Sequence, residues 1–210
     1  MKKLLFSALA LIPAFSLHAE VLLETGLRSP DDLKGWWKQA DTDYFPKEKD
    51  GGVLTVSNAD PKSSHFLIYP LDRKRAAGKR VTVSAEVKRD LSAPSVRYQG
   101  GKLQLNYRTG DTWNWPGIYM AVPKCDWEKH TLIVDVPPDA DKVEVILGVQ
   151  SASGTIRFRN LKVETGDTIL SLKSAANMGF RDQTARDGKG GWSDQGPEND
   201  AANFNYKQQK

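Results

Sequence analysis

Cysteine is almost absent: Cys125 is the only one in 210 residues, so no internal disulfide can form. Histidine is scarce too. Of the three, His18 lies in the N-terminal leader, and His65 and His130 stand in no His-Glu-x-x-His or related metal spacing. There is no Gly-x-Ser-x-Gly elbow and no phosphate loop before Gly78-Lys79. Gly166-Asp167-Thr168 is a faint echo of an esterase start with too little chain behind it. Asp and Glu are plentiful, yet nothing in their spacing orders a pair for glycoside cleavage. One-sided charge is missing as well. The formal charge is +4, and two of those charges are Lys2 and Lys3 in the leader, so a nucleic-acid footprint is not supported. After the N-terminus no apolar run is long enough to cross a membrane.

What is present starts with a processing segment. Met1 to Ala19 reads as a signal peptide: Lys2 and Lys3 form a positive start, Leu4 to Leu17 is apolar but too short to span a bilayer, and Ala19 offers a small residue for cleavage before Glu20. The mature chain is expected to be exported, to a periplasm, a cell surface or the medium.

From Glu20 onward the dominant signal is period-2 alternation. Val81, Val83, Ala85 and Val87 alternate with Arg80, Thr82, Ser84, Glu86 and Lys88. Leu103, Leu105 and Tyr107 alternate with Lys102, Gln104, Asn106 and Arg108. Leu132, Val134 and Val136 form a third face, and Val143, Val145, Leu147 and Val149 a fourth. In the run from Thr155 to Val163, Leu161 and Val163 are out of phase with Ile156 and Phe158, so a bulge is expected at Asn160. Nine or ten short strands with Gly and Pro turns and almost no helical periodicity predict an all-β, two-sheet sandwich or jelly roll. Its domain spans 20–164. Of the adjacent pair Trp36-Trp37, one is expected in the core and the other at the surface. Trp127 is expected in the core, and Cys125 as a buried small hydrophobe rather than a reactive thiol. Arg73-Lys74-Arg75, with Lys79 and Arg80, reads as a solvated loop and strand edge.

After Glu164 the valine-rich alternation stops. Ile169 to Leu172 can form one more strand, and the rest of 165–210 is a Gly/Asp-rich tail too poor in apolar residues to fold alone. Within it, Asp187-Gly188-Lys189-Gly190-Gly191-Trp192, then Asp194-Gln195-Gly196-Pro197 and Asn199-Asp200, make Ser174 to Phe204 resemble the opening of a β-sandwich module of secreted bacterial glycoside hydrolases. That resemblance implies a second module truncated at Lys210. The body of the chain has a resemblance of its own. Gly78 to Lys88, Trp127 to Thr131, Pro137 to Asp141 and Gly154 to Val163 resemble the galactose-binding-like jelly roll of bacterial carbohydrate-binding modules, over about Val21 to Glu164. The resemblance implies a polysaccharide or other glycan as partner, no cofactor in catalysis, and in many such folds a structural calcium ion. Asp41, Asp43, Glu48 and Asp50 form one acidic loop, and Asp187, Asp194, Glu198 and Asp200 another. Neither has the spaced ligand pattern of a calcium loop, and both read more simply as solvated carboxylates.

Carbohydrate binding needs an aromatic face to stack on a sugar ring and planar polar groups to meet its hydroxyls. Trp113, Trp115 and Tyr119 share a side if their segment is extended. Gln104, Asn106 and Arg108 lie on the polar face of the preceding strand, and Gln150 on a later one. These seven are the candidate ligand-binding residues, with core packing of the three aromatics as the alternative. The expected function is non-catalytic glycan binding that keeps a glycan-degrading protein near its polymer. Two other readings stay open: an N-terminal fragment of a secreted glycoside hydrolase, and a structural or protein-contact domain of the cell envelope.

Overall fold

The alternation in β5 (Lys79–Leu91) is realised as the longest uninterrupted wet-and-dry strand of the sandwich, with Val81, Val83, Ala85 and Val87 no more than 1% exposed. A computed structural model describes residues 19–39, 43–46, 52–94, 96, 98–118, 120 and 123–168. The leader, Ile169 to Leu172, the stretch Ser174 to Phe204, and the loop carboxylates Asp41, Glu48, Asp50, Asp187, Asp194, Glu198 and Asp200 fall outside these residues. The remaining strands are β1 (Glu20–Thr25), β2 (Trp37–Lys38), β3 (Leu54–Asn58), β4 (Ser64–Pro70), β6 (Gly100–Thr109), β7 (Thr112–Asn114), β8 (Lys124–Asp135), β9 (Lys142–Gln150) and β10 (Gly154–Thr168).

They form two antiparallel sheets. The first runs β1-β10-β5-β8, with β3 also paired to β10, and the second runs β2-β4-β9-β6-β7. The chain is therefore an all-β sandwich of the jelly-roll type, as its alternation predicts. Phe158, Leu161 and Val163 of the first sheet meet Leu103, Leu105, Val145 and Leu147 of the second in one core, all of them fully buried. Each side chain of this size contributes roughly 1.5–3 kcal/mol by leaving water.

The bulge occurs at Asn160. Arg159 pairs with Glu86 but the next partners are Lys162 and Ser84, and Asn160 has φ +53°. The extra residue turns Leu161 and Val163 inward, as the phase slip requires. Trp36 is buried against Tyr69, ring centroids 5.2 Å apart, and Trp37 is 54% exposed, so the tryptophan pair splits as expected.

Three expectations are corrected. Trp127 is not in the core cluster: it lies at the irregularity in the β5–β8 register between Cys125 and Glu128, half-buried, with the Arg159 guanidinium 4.1 Å from its ring centroid. Cys125 is half-buried rather than buried, and a hydrogen bond with Glu128, aided by burial, pushes its thiol pKa up, away from the thiolate form. The basic run is a single helical turn, α1 (Arg73–Ala76), whose cap Asp72 accepts from the Lys74 amide, with Arg75 donating to Glu20 at 2.7 Å. Arg80 belongs to β5 and pairs through two hydrogen bonds with Asp135, whose side chain is 1% exposed. The last strand, β10, runs to Thr168.

Candidate glycan-binding groove on the outer face of the second sheet

Side chains of directly paired residues point to the same face of a sheet. The register of the second sheet therefore lists what its outer face carries. One row crosses all of it: Trp37 pairs with Ile68, Ile68 with Ile146, Ile146 with Gln104, and Gln104 with Gly117. The next row toward one end is Phe66, Gly148 and Lys102, and beyond it lie Ser64, Gln150 and Gly100. In the other direction come Pro70, Glu144 and Asn106, then Lys142, Arg108 and Trp113.

The middle rows enclose a groove of about 420 Å³. Its floor is apolar, made by Phe66, Ile68 and Ile146. Ile146 is 3% exposed yet lies outside the core cluster, because its neighbours on this face cover it. Tyr98, Trp115, Gln104, Asn106 and Gln150 supply rings and amides around that floor. Trp115 is 44% exposed, and Trp37 stands at the opposite end of the Gln104 row. Three strand spacings separate Trp37 from Gln104, about 14 Å. The face thus has an exposed indole at each edge and an apolar floor between them.

Gln104 is held across the groove by its neighbour's lack of a side chain. A Cβ on Gly117 would lie 2.4 Å from Gln104 Cγ, and the amide Nε2 donates to the Trp115 carbonyl at 3.4 Å. Asn106 Oδ1 is shielded from solvent and has no hydrogen-bond partner. Lys102 is buried, 3% exposed, with Nζ donating to the Tyr98 carbonyl and lying 6.0 Å from that ring's centroid. Burial drops its pKa to about 7.

The seven candidates divide as follows. Gln104, Asn106, Trp115 and Gln150 line the groove together. Arg108 and Trp113 share its face but sit at the far end: Arg108 donates to Asp141 at 2.7 Å, an interaction that raises its pKa, and the guanidinium lies 5.8 Å from the Trp113 ring, with Lys142 equally near. The segment is a strand only to Asn114, so Trp113 and Trp115 are not successive residues on one extended strand face. Tyr119 lies outside the described residues. Phe66, Ile68, Ile146, Tyr98, Lys102 and Trp37 belong to the site without having been nominated. Their signal was an apolar residue on the wet side of an alternating strand, visible at Ile146 between Glu144 and Gly148. Among the described residues no three His, Cys, Asp or Glu side chains converge as a metal site, and Asp43 serves its own loop by accepting from the Phe45 amide.

No protein-family description matches the sequence, and no curated protein does either. Solved structures do. The tandem CBM22-1–CBM22-2 domain of Paenibacillus barcinonensis Xyn10C superposes with a TM-score of 0.50 at 11% identity, over 70% of this chain and 50% of that one. The single CBM22-1 xylan-binding domain of the same protein gives 0.49 at 13% identity, over 71% and 97%. The C-terminal family 22 carbohydrate binding module of Clostridium thermocellum Xyn10B gives 0.44 at 10%, over 72% and 96%. At such identities the likeness is one of fold, and this chain shares the β-sandwich fold of the tandem CBM22-1–CBM22-2 domain.

Proposed function

We propose that the protein binds a polysaccharide without cleaving it, laying the glycan across the row from Trp37 to Trp115. The observation that carries this reading is the composition of the groove. A pyranose ring offers C–H faces and hydroxyl edges, and the groove offers the exposed Trp115 indole, an apolar floor and three planar amide side chains, with the exposed Trp37 indole in the same cross-strand row. None of its lining residues is a carboxylate, so the acid and nucleophile of glycoside cleavage are not found there among the described residues. The shared fold supports the same reading, since open sheet faces of this kind are where such a ligand reaches side chains from several strands.

Export follows from the leader, and the protein would meet its polymer outside the cytoplasm, keeping a glycan-degrading partner or fused module near it. A single site of this size binds weakly, because few contacts offset the ordering of ligand and side chains. Calorimetric titration with soluble xylan, glucomannan and mixed-linkage β-glucan, together with acidic polysaccharides, tests the proposal. Trp115 is 44% exposed, so stacking on one face covers roughly 50 Å². Its loss in Trp115→Ala is worth about 1.4 kcal/mol, or tenfold in affinity. Trp37→Ala is expected to weaken binding in the same direction. Undiminished binding by both variants, or no binding to any glycan, would refute the assignment.

A further inference from the structure

We propose that the groove selects glycans carrying carboxylate groups, as uronic acid units do, and that the Lys102 ammonium receives the carboxylate. The inference rests on the reading of this face as a glycan site and adds the chemical class of the ligand. Long cationic side chains on a sheet face normally keep the charged end in water. Lys102 does the opposite: it lies beneath Tyr98, 3% exposed, and spends one donor on the Tyr98 carbonyl. An ammonium has three donors, so two remain for a ligand.

Three other buried or half-buried cations of the sandwich have a carboxylate. Arg89 has Glu128 at 3.6 Å, Arg159 has Glu86 at 2.6 Å, and Arg80 has Asp135 at 2.7 Å. Lys102 has none among the described residues, and burial alone accounts for its lowered pKa. The groups that face it are Gly148, Ile146 and Gln150 on β9, Phe66 on β4, Gly100 and Gln104 on its own strand, and the Tyr98 ring above. Tyr98 is the only titratable side chain among them. Glu144, the carboxylate on this face, stands two rows away beside Asn106 and acts on Arg108. A buried cation lacking a counter-charge favours an anionic ligand over a neutral one, and a planar carboxylate can take both free donors.

The experiment uses the whole chain with polygalacturonate, glucuronoxylan and alginate, each paired with its carboxyl-reduced counterpart, in which the carboxylate has become a neutral hydroxymethyl group. Below pH 7 at least one acidic polymer is expected to bind about tenfold or more tighter than its reduced form. The ratio shrinks as pH rises above 7, where the free amine predominates. Binding of the acid at pH 7, measured in two buffers of different ionisation enthalpy, takes up about half a proton, since an amine with a midpoint near 7 is half protonated before binding. In Lys102→Met the ratio falls to about one. Reduced or neutral glycans bound as tightly as acidic ones, or acid binding without proton uptake, would overturn the inference while leaving the glycan site standing. Failure to bind any polymer in either form would overturn both.

Discussion

Replacing Lys102 with Met should change how stability depends on pH. The substitution keeps an unbranched chain of similar length under Tyr98 and removes the charge. Burial holds the folded-state pKa at about 7, against an ordinary lysine value of 10.5. Below pH 7 the ammonium persists in folded and unfolded chains alike, so this residue contributes no slope. Between 7 and 10.5 the unfolded chain keeps a proton that the folded chain has released, and stability rises with pH by up to about 1.36 kcal/mol per unit. Integrated from pH 7 to pH 9, the gain is about 2 kcal/mol. For a urea slope of roughly 2 kcal/mol per molar, that moves the unfolding midpoint up by about 1 M. Urea titrations at pH 7, 8 and 9, followed by tryptophan fluorescence, compare the two proteins, and groups common to both cancel in the difference. The wild-type midpoint should climb relative to that of Lys102→Met across this window. Midpoints that move in parallel, or a wild-type midpoint that falls relative to the variant, would refute the claim that the amine is buried without a counter-charge.

Two further outcomes follow from local geometry. Gly117→Ala introduces a Cβ at 2.4 Å from Gln104 Cγ on a backbone outside the left-handed region, so Gln104 must swing off the groove. Glycan affinity should drop about fivefold, the worth of one hydrogen bond of about 1 kcal/mol, while the urea midpoint stays nearly constant; an unchanged affinity would show that Gln104 does not contact the ligand. At Asn160, φ of +53° is open to glycine and strained for valine, so Asn160→Val should be less stable than Asn160→Gly by about 1–2 kcal/mol. Both variants lose the bond from Asn160 Nδ2 to Glu86, so their difference in thermal midpoint reads the backbone alone, and equal midpoints would contradict the bulge geometry.

The fold was legible because each strand reports its own buried face. The phase slip between Phe158 and Leu161 located a bulge from sequence, and the parity of Leu103 and Leu105 put Gln104 and Asn106 on the outside. Parity alone did not place Trp127, because the β5–β8 register shifts between Cys125 and Glu128 and the alternation of Leu132 and Val134 does not carry across that irregularity. The site was legible only in part, because a groove is assembled across strands. Ile68 and Trp37 reach Gln104 through β9, and the order β2-β4-β9-β6 involves crossovers that one strand's pattern does not encode. Trp113 and Trp115 separate because regular pairing of β7 ends at Asn114, and the single bridge from Gln104 to Gly117 sets where the chain returns. Loop paths of this kind depend on tertiary contacts rather than periodicity.

β9 explains why the groove lies where it does. Its inward residues, Val143, Val145, Leu147 and Val149, fill the core, and its outward Ile146 leaves the middle of the exposed face apolar. An ammonium buried on that face without a counter-charge costs stability. Met or Leu at position 102 would pack the same space without that cost. The fold instead places an uncompensated cation, a shielded amide oxygen on Asn106 and exposed indoles on one face, while the buried Asp135 and Arg89 elsewhere are paired within the chain. A ligand that brings an anion to Lys102 and a donor to Asn106 would match both groups, which is the ligand class inferred above.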